Sequence, residues 1–159
     1  MKSSVKLGLG FGITSGVITT LGLMIGLYES TNSKLAVLGG IITIAIADAF
    51  SDSLGIHISE ESVQKSQKEI WKSTFSTFLS KFLTSLIFVI PVIFLQLDYA
   101  IILNVILGIL VLGVFSFLIA KSKNEKPLGV VMEHLGIAIG VIIVTYVLGK
   151  LIGIWFGNL

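Results

Sequence analysis

The chain has 159 residues, of which 54% are apolar and 13% charged, with a mean hydropathy of +1.01 and a formal net charge of +2. Soluble domains carry about 25% charged residues, so this composition marks an integral membrane protein, a single transmembrane domain over residues 1–159. Every basic residue is lysine and cysteine is absent, which excludes disulfides and thiolate metal sites, and the small, scattered positive charge gives no sign of nucleic-acid binding.

Five apolar stretches follow in chain order, at about 7–28, 35–58, 74–97, 99–120 and 128–156. A helix crosses the hydrocarbon core with about 20 residues, so each is long enough. Lipid cannot satisfy exposed backbone groups, so each must be helical. The expected fold is therefore an all-α membrane protein with five transmembrane helices. Lys2 and Lys6 precede the first stretch, but that run is too long for a signal peptide and no small-residue cleavage site follows it, so it reads as a retained helix. Residues 59–73, SEESVQKSQKEIWKS, are polar and lack Gly and Pro. Glu61–Lys65 and Lys65–Glu69 at i,i+4 predict a short helical stalk in the cytoplasm, with Trp71 as an interfacial anchor. With the N-terminus inside, Lys2, Lys6, Lys65, Lys68, Lys72, Lys121, Lys123 and Lys126 are cytoplasmic. Only Lys34 and Lys150 fall outside, which predicts N-in and C-out. Short loops and the absence of a sorting signal point to a multi-pass protein of a prokaryotic plasma membrane.

Glycines recur four residues apart: Gly8, Gly12 and Gly16; Gly22 and Gly26; Gly136 and Gly140; Gly149, Gly153 and Gly157. Close backbone approach is a main source of helix contact in a bilayer. The first and last stretches are thus packing helices, against neighbours in the chain or against a second subunit.

Asp48 and Asp52 lie one helical turn apart on one face of the second stretch. A carboxylate near mid-membrane costs about 2.5–3.5 kcal/mol even on the lenient insertion scale. Two of them need a cation, a proton or a lysine. Lys81 and Lys150 sit near helix ends and are expected to snorkel outward, which leaves metal or protons, with Ser51 and Ser15 as supporting oxygens. On that reading Asn at either acid leaves stability unchanged or raises it. Thr14, Thr19 and Thr20 offer hydroxyls to a cation or bond their own backbone. His57 reads as a ligand, a proton relay or a polar tip. Glu60 and Glu61 guide cations to the mouth or form a solvated face. Glu133, beside Met132 and His134, is a ligand on the intake side or an interfacial charge. The chain carries no Gly-rich phosphate loop, HExxH or nucleophile elbow, so it is expected to be no enzyme and no ATPase. No cofactor is expected beyond a transported divalent metal.

The segment Ala47-Asp48-Ala49-Phe50-Ser51-Asp52, continuing through Gly55 to Ser59-Glu60-Glu61, resembles a second-helix motif of the vacuolar iron transporter family. Ser15-Gly16-Val17, Gly26-Leu27, Pro91 and the run Val144 to Gly153 are similar to further family features. The resemblance implies a homodimer with the ion path at the subunit interface, and export of iron(II) or manganese from the cytoplasm in exchange for protons. It also marks departures. The family's first-helix acid is Ser15 here, and its second-helix methionine ligand aligns with Asp52. The cytoplasmic metal-binding domain of the plant and yeast members is reduced to residues 59–73. The expected function is thus a proton-coupled divalent metal antiporter. The alternatives are a non-transporting membrane assembly or metal-sensing subunit, and a carrier of organic cations.

Overall fold

The computed structural model describes residues 3–157; residues 1, 2, 158 and 159, Lys2 among them, lie outside the described part. Six helices follow one another: α1 Ser3–Thr31, α2 Lys34–Ser62, α3 Gln67–Ile87, α4 Val89–Phe94, α5 Leu97–Ser122 and α6 Pro127–Phe156. No strand occurs among the described residues. Helices α3 and α4 together make one membrane-length unit, so five helical spans are long and apolar enough to cross a bilayer.

Helix α1 is the central element and packs against α2, α3, α5 and α6. Its glycines explain how. A Cβ on Gly12 would lie 2.7 Å from the Thr77 carbonyl oxygen, and one on Gly16 would lie 3.2 Å from that of Lys81. The first glycine stripe is therefore the groove that admits α3. Gly22 faces Val141 and Thr145 of α6, and Gly149 presses on the Gly26 carbonyl, 2.7 Å from where its own Cβ would be. Gly136 and Gly140, by contrast, face open space. Three of the four runs are thus used within the chain, and one is left on its surface. Leu21, Met24, Val37, Ile41, Phe88, Val92 and Leu112 fill the apolar core around α1.

The polar segment is helical on both sides of a turn. Helix α2 runs straight through to Ser62, the chain turns over Val63–Ser66, and α3 starts at Gln67, seven residues before the apolar run begins. Gln64 has φ 54°, a left-handed turn conformation. The predicted i,i+4 pairing of Glu61 with Lys65 gives way to a bond from Lys65 Nζ to Glu60 Oε1 at 2.8 Å. Residues 59–73 are the tip of an antiparallel α2–α3 hairpin. The third span breaks at Phe88, one turn before Pro91, which has no N–H to give the preceding turn. Asn104 of α5, fully buried, donates to the Phe88 carbonyl at 2.9 Å, so the break is held by a neighbouring helix. At the other end of α4, Lys34 Nζ donates to the carbonyls of Ile93 and Leu95 at 3.1 and 2.9 Å. These bonds satisfy carbonyls that the helix end leaves without intrahelical partners.

Gly16 therefore cannot report on subunit association, because a side chain there collides with α3 first. The glycines instead predict a contrast in stability. Ala replacing Gly in an exposed helix gains about 1 kcal/mol of helix propensity, and Gly136→Ala should be neutral or stabilising. Gly12→Ala overlaps the Thr77 carbonyl and should cost about 1–3 kcal/mol through overpacking. Thermal unfolding midpoints of the two variants in detergent check this; equal midpoints would contradict the assigned α1–α3 contact.

Candidate functional site

The site follows from the hairpin register. In an antiparallel pair, residues equally far from the turn lie side by side. Asp48 on α2 and Lys81 on α3 are equidistant from the middle of the Val63–Ser66 turn. Lys81 sits about 21 Å along α3 at 1.5 Å per residue and is fully buried inside the bundle. This corrects the expectation that Lys81 snorkels. Its side chain is 0% exposed, and its ammonium ion-pairs with the carboxylates of both Asp48 and Asp52. The aspartate side chains keep 26% and 20% of their exposure.

Ser15 completes the cluster from α1. Its hydroxyl donates to Asp52 Oδ2 at 2.7 Å and accepts from Lys81 Nζ at 2.9 Å. Three helices therefore meet at four polar side chains. A protonated lysine has three N–H donors; here Asp52 and Ser15 accept hydrogen bonds from it, while Asp48 is held as an ion pair without hydrogen-bond alignment. The cluster carries a formal charge of one negative unit. Asp48 and Ser51 also line a groove of about 640 Å³ between α1 and α2, walled by Leu23, Leu27, Gly40 and Ile44. Lys81 meets both acids from α3, and the groove opens on Asp48 from the α1–α2 face.

The remaining sequence candidates are dispersed. His57 lies apart from the acid pair on a second groove, of about 730 Å³, between α2 and α3. Its Nδ1 is 3.0 Å from Thr74 Oγ1, and its ring meets the Trp71 ring edge-on. Glu60 is buried near the hairpin tip, bonded to Ser73 and Lys65, and so is a clasp between α2 and α3 rather than a mouth residue. The hydrogen bond to Glu60 raises the pKa of the Lys65 ammonium above its ordinary value. Glu61 stays on the surface. Glu133 is exposed on α6, which packs on α1 and α5; its neighbour His134 has Nδ1 2.7 Å from Ser116 Oγ. Thr19 bonds the Ser15 carbonyl of its own helix at 2.9 Å, whereas Thr20 reaches Ser85 Oγ on α3 at 3.0 Å. Among the described residues no three His, Asp or Glu side chains gather closely enough to hold a metal by themselves.

Residues 54–150 match the family model described as the VIT family, which covers more than half of the chain. The chain belongs to the VIT family. No curated protein matches it. Membership places the chain among multi-pass membrane proteins that transport metal ions. The VIT match takes in Lys81 but starts after Asp48 and Asp52, so their part in the site rests on the geometry of the cluster.

The sequence placed Lys81 near a helix end and set it aside as a snorkelling side chain, because hydropathy does not show which face of α3 it occupies. The signal was there: the spacing of Asp48 and Lys81 about a central turn. The stability expectation reverses with it. Removing one partner of a buried ion pair costs about 3–5 kcal/mol. Lys81→Met leaves two carboxylates uncompensated and should lose stability on that scale. Asp48→Asn or Asp52→Asn leaves Lys81 one partner and should lose less, and the double Asn variant should again lose heavily. Thermal unfolding midpoints in detergent at neutral pH give the order. A Lys81→Met protein as stable as wild type would contradict the ion pairs.

Proposed function

We propose that the chain carries divalent metal ions, iron(II) or manganese, across a membrane, with Asp48 and Asp52 as the cation-binding carboxylates. One observation carries this reading. Two acids one turn apart on α2 remain partly exposed, and Asp48 lines the α1–α2 groove. Ser15 and Ser51 supply neutral oxygens beside them. Carboxylate and hydroxyl ligands suit oxygen-seeking ions such as manganese and iron(II). VIT-family membership supports metal as the cargo. In the same reading the protein is a homodimer, oriented N-in and C-out, that moves metal out of the cytoplasm in exchange for protons. The lysine bias supports the orientation, and the family resemblance supports the rest.

The ion pairs to Lys81 favour a second reading. A charge-compensated cluster that joins three helices also suits a membrane subunit that assembles or senses without transporting.

Flux into proteoliposomes separates the two. Under the transport reading, metal moves with a counter-flow of protons that a pH-sensitive dye reports. Asp48→Asn and Asp52→Asn, reconstituted to the same level, should both lose that flux. Wild-type flux in either variant sinks the site assignment, and an inert wild type favours the assembly reading. Selectivity gives a further prediction. A thioether is a softer ligand than a carboxylate, so Asp52→Met should raise zinc relative to manganese in a competition series. An unchanged ranking would show that Asp52 does not touch the cargo.

A further inference from the structure

The cluster at Asp48 and Asp52 is already filled by a cation. The Lys81 ammonium is fully buried and aimed at both carboxylates. Ser15 Oγ, 2.9 Å from Nζ, accepts a hydrogen bond from it as well. A metal ion arriving from the α1–α2 groove meets carboxylate oxygens that this ammonium already holds. Two positive charges a few ångströms apart in a medium of low dielectric repel strongly, and the pair has only two carboxylates to share. The backbone at Lys81 is fixed, because its amide lies 3.0 Å from where a Cβ on Gly12 would be. The four-carbon stem is not fixed in the same way, and lysine is a flexible point charge.

We propose that Lys81 is a tethered counter-cation, which occupies the acid pair when no cargo is bound and which cargo must displace to bind. This rests on the reading of Asp48 and Asp52 as the cargo site. Lys81 then does two things. It lowers cation affinity by competing for the same oxygens. It also reduces the charge of the empty site from two negative units to one, so an unloaded carrier can cross between its two facings without borrowing a second ion. Charge left unpaired in the membrane is what opposes that step.

The test is equilibrium binding of manganese(II) to the purified full-length protein in detergent, by calorimetry, for wild type, Lys81→Met, Asp52→Asn and the double variant. Competition predicts that Lys81→Met binds manganese more tightly than wild type, by about tenfold or more, within the usual range of coupling between two ligands of one protein. A purely structural lysine predicts the reverse, because its loss would disorder the acids. If Lys81→Met does not fold, the other pair decides. Asp52→Asn leaves one carboxylate with Lys81 still upon it, whereas Lys81→Met/Asp52→Asn leaves one carboxylate with no competitor. The double variant should therefore bind more tightly than Asp52→Asn alone. Equal or weaker binding on removal of Lys81, with wild type still binding, overturns the inference and leaves the cargo site standing. No manganese binding in any of the four proteins overturns the cargo site itself, and the inference with it.

Discussion

A carboxylate inside a membrane span must be met by positive charge, and in this chain that constraint is met by a lysine three helices help to place. Asp48 and Asp52 come from α2, Lys81 from α3 and Ser15 from α1. The rest of the bundle makes that meeting possible. Gly8, Gly12 and Gly16 thin α1 where α3 crosses it, which brings the Lys81 backbone up against α1. The turn at Val63–Ser66 sets the register that puts Lys81 level with Asp48. The clasp of Glu60 with Ser73 and Lys65 ties α2 to α3 near the tip of the same hairpin. Polar groups elsewhere obey the same accounting. Asn104 and Lys34 serve the carbonyls at the Phe88 break and at the end of α4, where a proline-containing helix gives up its own bonds.

The number and helicity of the spans were legible because hydrocarbon imposes a length and forbids unpaired backbone. The acid pair was legible because its cost is so high. What escaped was where a helix starts in water and which way its polar side chains face. Hydropathy marks the edge of the apolar run, yet a helix continues past it when polar residues also favour helix, as Gln67 to Ser73 do. Lys81 is a buried counter-ion because its face of α3 turns toward α1 and α2, which hydropathy does not show. The glycine stripes show a similar limit. Spacing announced close packing but not the partner, and Gly12 and Gly136 look alike in sequence although one abuts α3 and the other faces open space.

The outward faces separate by role. Helix α1 is half buried over its apolar window, whereas α6 is the least buried of the five spans. Leu128, Met132, Ile137, Ile143, Val147 and Ile154 stand exposed along α6. Exposed apolar surface needs no special explanation in a span that faces lipid. The α1–α2 face differs, because its groove ends on Asp48 and Ser51 rather than on apolar side chains alone. The α2–α3 groove is lined instead by His57 and aromatic rings.

The departures from the family pattern then join into one change. The resemblance places an acid at Ser15 and a methionine at Asp52 in other members. Position by position these are two unrelated losses, of a charge on the first helix and of a soft ligand on the second. In space they are neighbours, since the Ser15 hydroxyl and the Asp52 carboxylate are 2.7 Å apart. Moving the acid from one to the other relocates the negative charge by a single hydrogen bond. With Asp48 added on the next turn, the local charge would reach two negative units, and burying that without compensation is what the membrane forbids. Lys81 supplies the compensation at the one α3 position that faces both acids. Ser15, small and able both to donate and to accept, bonds the Asp52 carboxylate and the Lys81 ammonium at once. The four residues make sense as a set, and a change at one alters the charge balance for the other three.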